Sequence, residues 1–250
     1  FTIGGEGIVA FYDDGLETVG SGRTITFNVP VDFQTNKLVV AAGDTVVFAA
    51  GFTNEVWEKT ADGFTVSDGS AGRVELGGAV PTTLTVKGGT LGFADGAVMP
   101  ADDTLVLDIA DGAKIEVADG DILRVKSLKY KGAAVPVGYF TEGVAGGGSI
   151  RVAESTAPAV IETLTWDHEG EGGLMSERTN WEGSPFFELS FADKYDFVFA
   201  KSGSEAVLDE PVTMHSLIFR NGPFAIRRGN DDAVIKLGTV DYVGTVGEAG

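Results

Sequence analysis

Asp167-His168-Glu169-Gly170-Glu171 is the densest group of metal-capable side chains in the chain. Its carboxylates are hard oxygen donors, the ligands that Ca2+ takes. Asp167, Glu169 and Glu171 are therefore the candidate Ca2+ ligands. Their spacing follows neither the EF-hand loop nor the Gly-Gly-x-Gly-x-Asp calcium repeat, so a solvated acidic loop is the competing reading. Sugar stacking is the second chemistry within reach. Trp57, Trp166 and Trp181 are the wide rings that can face a sugar, and Trp57 sits in the loosest stretch of sequence.

Catalytic chemistry is thinner. Asp13-Asp14, Asp102-Asp103 and Asp231-Asp232 are paired carboxylates. Glycoside hydrolysis needs two carboxylates across a cleft, about 5–10 Å apart, and neighbours on a strand point to opposite faces. Lys114, Arg124, Lys126 and Lys129 can line a face near Asp108, Asp111 and Asp121, although outward Lys and Arg on strands also solubilise and protect edges. The two histidines are His168 and His215. No Gly-x-Ser-x-Gly elbow accompanies them, and His215 in the run MHSLIF reads as an exposed strand residue. There is no cysteine, which excludes disulfides, zinc-thiolate sites and thiol nucleophiles. Gly4-Gly5-Glu6-Gly7 and Gly146-Gly147-Gly148 lack the Lys and the strand–loop–helix setting of a phosphate loop, so they read as turns. No catalytic residue is assigned, and the balance points away from an enzyme.

The elements that must position these groups are strands. Within 250 residues there are 36 Gly, and 43% of the chain is hydrophobic. That much glycine suits an all-β chain with frequent tight turns, and the apolar content is too high for disorder. Leu84–Val125 states the pattern most clearly. Apolar residues alternate in short runs: Leu84 and Val86, Leu91 and Phe93, then Leu105, Leu107 and Ile109, then Ile115 and Val117, then Leu123 and Val125. Period 2 means strand, and the intervening Gly-Gly and Asp-Gly pairs favour tight turns. Earlier strands are expected at Thr24–Val29, Lys37–Ala41, Thr45–Ala49, Phe64–Val66 and Arg73–Leu76. Later ones are expected at Ser149–Val152, Tyr195–Ala200, Ala206–Leu208, Thr213–Arg220, Phe224–Arg227 and Val234–Leu237. Almost no helix is expected.

Short strands at loose intervals fit a β-sandwich, a barrel or a β-solenoid. The recurring phrases KLVVAAGDTVVF, TLTVKGGTLGF and TLVLDIADGAKIEV favour the solenoid, because each resembles a unit that must stack on its neighbours to bury its apolar face. The β-sandwich is the runner-up. Ala153–Ile161 is small, polar and proline-containing. The expected organisation is a repeat segment over 1–152, a seam over 153–163 and a second β unit over 164–250.

The net charge of −19, with a pI near 4.3, argues against nucleic acid and anionic lipid, and for basic or cationic partners. No apolar run is long enough to span a bilayer. The start at Phe1 reads as a piece of a longer or processed polypeptide.

Several phrases carry a family resemblance. Thr165-Trp166-Asp167, Asn180-Trp181, Asp196-Phe197-Val198-Phe199 and Val212-Thr213-Met214-His215-Ser216-Leu217-Ile218-Phe219 occur in that order. With Val86-Lys87-Gly88-Gly89-Thr90-Leu91 and the closing phrase Val135–Thr141 plus Gly146–Val152, they resemble the bacterial autotransporter-associated β-strand repeat proteins. The resemblance covers roughly Lys37–Leu237. It implies a right-handed parallel β-helix in an exported, cell-surface or extracellular protein, with Trp166 and Trp181 packing at the start of a unit. It supplies no catalytic residues. The acidic loop His168–Met175 departs from the family's Gly/Asn-rich gap. The expected function is a non-enzymatic structural or adhesive segment of such a protein, able to self-associate, pack with other surface proteins or join a fibre. The alternative is a module that binds or processes polysaccharide on the same scaffold.

Overall fold

The computed structural model describes residues 1–11, 15–33, 37–53, 63–167, 171–183, 189–200, 205–220 and 224–237. The protein is all-β, and most of its strand pairs are parallel. Among the described residues helical structure is confined to short 3-10 turns such as Arg178–Asn180 and Leu189–Lys194. No described helix is long and apolar enough to cross a membrane. The chain forms two compact units, Phe1–Pro158 and Ala159–Gly250.

The first unit is built on a seven-stranded sheet whose spatial order follows the chain. Its strands are Thr2–Ile3, Thr24–Phe27, Thr45–Phe48, Arg73–Leu76, Thr90–Phe93, Lys114–Glu116 and Val144–Ala145, each parallel to the next. The chain thus returns to one sheet every 17 to 29 residues, and each return is termed a pass. A second parallel series runs Phe64–Val66, Thr83–Val86, Val106–Ile109 and Ser127–Tyr130. Ile122–Val125 pairs in parallel with Ser149–Val152.

Register turns the sequence parity into ladders. Ile25, Val46, Val74, Leu91 and Ile115 line up on one row, and Phe27, Phe48, Leu76 and Phe93 on the next. In the second series Phe64, Leu84, Leu107 and Leu128 align, as do Val66, Val86, Ile109 and Tyr130. Most of these inward residues have no solvent exposure. Aliphatic and aromatic side chains on alternate positions fill the interior, while Thr, Arg, Glu and Lys occupy most outward positions. Rings concentrate at one end of the core. Phe48 lies 5.3 Å from Phe27, 5.0 Å from Phe52, 5.8 Å from Phe64 and 5.9 Å from Phe33.

The corners are tight enough to demand glycine. A Cβ on Gly89 would stand 2.4 Å from the Gly72 carbonyl oxygen, and one on Gly88 would stand 2.6 Å from that of Ser70. Gly89 also holds φ +65, a conformation costly for residues with a Cβ. The Gly-Gly-Thr-Leu phrase is therefore a stacking requirement between one corner and the corner of the preceding pass.

Polar side chains stitch neighbouring corners. Asp44 is buried and accepts the backbone N–H groups of Gly20 (2.9 Å), Ser21 (2.9 Å) and Arg23 (3.0 Å). The Ser70 hydroxyl accepts from the Val40 N–H and donates to the Leu38 carbonyl, and the Thr18 hydroxyl accepts from the Ala41 N–H. Each satisfies main-chain groups that a bend removes from the regular ladder. At the far end of the unit, antiparallel strands close the series. Ala133–Ala134 lies on Ser127–Tyr130, and Gly138–Phe140 lies on Ser149–Val152.

The second unit has its own sheet. Glu162–Trp166 pairs antiparallel with Trp181–Glu182 and parallel with Tyr195–Phe199, which pairs parallel with Ser216–Phe219. The expected strand Thr213–Arg220 is two strands, Val212–Met214 and Ser216–Phe219, divided at His215. The His215 backbone N–H turns to the Ala192 carbonyl at 3.3 Å, so the chain bends there instead of continuing.

Candidate functional site

The first unit carries a groove of about 530 Å3 beside the strands Thr90–Phe93 and Lys114–Glu116. Its wall is the excursion 94–105, which leaves one sheet after Phe93 and re-enters the second series at Val106. Arg73, Phe93, Asp95, Met99, Glu116 and Asp121 define its character. A hollow of about 180 Å3, bounded by Pro100, Asp102 and Arg124, extends it and shares Met99, Ile122 and Leu123.

Outward parity brings the charges together. Glu75, Gly92 and Glu116 stand in one row across three strands, with Arg73, Thr90 and Lys114 in the neighbouring row. Arg73 Nε donates to Glu75 at 2.7 Å, and its guanidinium reaches diagonally to form an ion pair with Glu116. Gly92 makes the diagonal possible. A Cβ there would lie 3.0 Å from Arg73 Nη2 and 3.3 Å from Glu116 Oε2. These side chains are about a third exposed, so the pairs fix geometry more than they stabilise the fold.

The wall is clasped from beneath. Arg151, only 9% exposed, donates from Nη1 to both carboxylate oxygens of Asp103, at 3.0 and 3.2 Å. Arg124 Nε lies 3.7 Å from the Asp102 carboxylate. Asp103 holds φ 60, an uncommon conformation for a residue with a side chain, and the charge-assisted bonds to Arg151 hold it there. Asp95 and Asp121 are exposed and form no ion pair among the described residues. Met99 (37%) and Ile122 (40%) leave apolar surface open beside them. The groove thus combines net negative charge with an apolar lining.

The residues singled out in the sequence fall elsewhere. Trp166 and Trp181 are each 1% exposed and pack edge to face at 4.8 Å, against Phe197 and Phe199. Trp181 Nε1 donates to the Met175 carbonyl at 2.9 Å. Their rings form the core of the second unit and present no open face to a sugar, which removes them as carbohydrate platforms. Trp57 lies outside the described residues, as do His168 and Glu169, and the Glu171 side chain is not described. Asp167 is half-buried, and its backbone N–H donates to the Asn180 carbonyl at 3.1 Å. Among the described residues no cluster of His, Asp and Glu has the arrangement of a metal site. Of the basic residues Lys114, Arg124, Lys126 and Lys129, Lys129 stands beside Asp108 as its register partner on the neighbouring strand. Arg124 faces Asp102, Lys126 lies 3.8 Å from Glu154, and Asp111 pairs with Lys131 at 3.0 Å.

His215 is not a free strand residue. Its Nδ1 lies 2.7 Å from Asp196 Oδ1, and Ser216 Oγ donates to the same oxygen at 2.5 Å. Burial pushes the Asp196 carboxyl up, but the Ser216 and His215 hydrogen bonds and the imidazole charge outweigh it and hold the group below its ordinary range. The serine bonds to the carboxylate and not to the imidazole, so the trio lacks the relay that activates a nucleophile. It ties Ser216–Phe219 to its parallel neighbour at the bend.

Comparison of the chain with family models, with curated proteins and with solved structures finds no match.

Proposed function

We propose that this chain is a non-enzymatic structural and adhesive segment of an exported bacterial surface protein, built as a right-handed parallel β-helix of the autotransporter-associated repeat type. The observation that carries the reading is the seven-stranded sheet whose parallel order follows the chain, strand after strand. Stacked passes of this kind give a rigid wall with outward rows at regular spacing, about 4.7–4.9 Å from strand to strand, which suits repeated weak contacts better than a single reaction. The resemblance over Lys37–Leu237 supports export and surface display. The burial of Trp166 and Trp181 takes two of its aromatic rings from the polysaccharide alternative.

The test couples the purified full chain to beads and measures their retention on bacterial and host cell surfaces, with beads carrying an equally acidic unrelated protein as reference. Retention well above the reference is expected. Retention equal to it overturns the adhesive role. A crystal structure in which successive passes wind left-handed, or do not wind at all, overturns the β-helix.

A further inference from the structure

We infer that the groove beside the excursion 94–105 is a docking site for an extended basic peptide segment of a partner protein, one that presents Lys or Arg next to apolar side chains. The inference stands on the groove alone and does not rest on the adhesive role.

Charge selects the occupant. Arg73 is the cation of the groove proper, and Glu75 and Glu116 already hold it. Asp95 and Asp121 line the same groove with no ion-pair partner among the described residues. A guanidinium or ammonium group entering the groove meets these carboxylates, while a phosphate, sulfate or uronate meets repulsion. The rest of the chain acts in the same direction, because a net charge of −19 steers cations toward the surface and anions away from it.

Shape and polarity select the stem. Phe93, Met99 and Ile122 line the same space as the acids, and Met99 and Ile122 are among the large apolar side chains the protein leaves exposed. Lys and Arg lay their methylenes along such a surface and keep the charge at the rim. The combined groove and hollow have room for more than one side chain, which calls for a segment rather than a single amine. The clasp between Asp103 and Arg151 holds the wall in place before any partner arrives, so less ordering entropy is lost on docking.

Fluorescence anisotropy on the full chain tests the inference. The probe is a labelled peptide alternating Lys with Val, at physiological salt. Its Glu-for-Lys and Ser-for-Val versions serve as comparisons. The Lys/Val peptide is expected to bind and the other two to bind weakly or not at all. Asp95→Asn with Asp121→Asn is expected to weaken binding about five- to tenfold, since each exposed pair contributes modestly. Asp231→Asn with Asp232→Asn removes the same charge elsewhere and is expected to leave affinity unchanged; far-UV circular dichroism verifies that both double variants stay folded. Three outcomes overturn the inference: no binding of the Lys/Val peptide, equal loss from the two double variants, or a neutral oligosaccharide that binds where the peptide does not.

Discussion

Replacement of Phe48 by Ala tests whether the in-register ladder is a filled core. Phe48 has no exposure, and its ring meets Phe27, Phe52, Phe64 and Phe33 at centroid distances of 5.0 to 5.9 Å. Truncating a buried Phe costs about 3–5 kcal/mol in lost transfer energy and residual cavity. Ring pairs add about 0.5–1.5 kcal/mol beyond area, and Phe48 takes part in several, so the expected cost lies near the top, about 4–5 kcal/mol. Relaxation is limited because Phe27 and Leu76 are held on either side by parallel backbone ladders. With a urea slope of about 2–3 kcal/mol/M for a unit of this size, the midpoint should fall by about 2 M while the slope stays constant. Phe48→Leu keeps most of the volume and loses the ring contacts, so it should cost about 1–2 kcal/mol. The assay is reversible urea unfolding followed by far-UV circular dichroism. A cost below about 2 kcal/mol for the alanine variant at unchanged slope, or equal costs for alanine and leucine, refutes the filled ladder.

Other consequences follow from single residues. Gly89→Ala sets a Cβ against the Gly72 carbonyl and forces a positive φ, so it should destabilise by about 1–3 kcal/mol in the same urea assay. Asp103→Gly accepts the local φ and removes only the carboxylate that holds Arg151. It should cost about 1.5–3 kcal/mol and raise the rate of proteolytic cleavage within 94–104; unchanged cleavage argues against the clasp. At Asp44 the Arg23 and Ser21 backbone N–H groups, then the Thr18 hydroxyl, hold the carboxyl well below its ordinary 3.8, with burial opposing. The folded form therefore binds that proton more weakly than the unfolded chain, and the stability it contributes is complete above the unfolded value and lost as pH falls below it. Asp44→Asn should therefore lower the urea midpoint at neutral pH, and the gap should begin to narrow only as pH falls below about 4. A gap that is constant with pH argues against the carboxylate's role.

Inward parity was legible wherever Val, Leu, Ile or Phe alternate with polar residues, as at Leu105, Leu107 and Ile109, because burial on a pleated strand has period 2. Partner strands were not legible. Leu84 alone does not state that it aligns with Phe64 and Leu107, since that match depends on how the intervening turns close. Tryptophan was ambiguous for a related reason. The same ring serves as core or platform, and only the packing of Trp166 on Trp181 and Phe199 decides. The groove was hidden because Arg73, Asp95 and the pair Glu116 and Asp121 come from three successive passes. Its one local trace is Gly92, a glycine inside an otherwise regular strand, which signals close approach by something from another strand. At His215, parity described the strand and missed the bend, because the Asp196 carboxylate that anchors the imidazole lies on the neighbouring strand.

The corner bonds of Asp44 give the first unit a mechanical character. Each strand of its long sheet is held to the next by backbone bonds that point along the stacking direction. Tension applied in that direction loads them a pass at a time, as in unzipping, rather than shearing a whole sheet at once. Most passes should then yield at similar low force. Where one carboxylate grips the main chain at Gly20, Ser21 and Arg23, the peel meets a catch. A sheet built this way lengthens in steps under load and re-zips when the load drops.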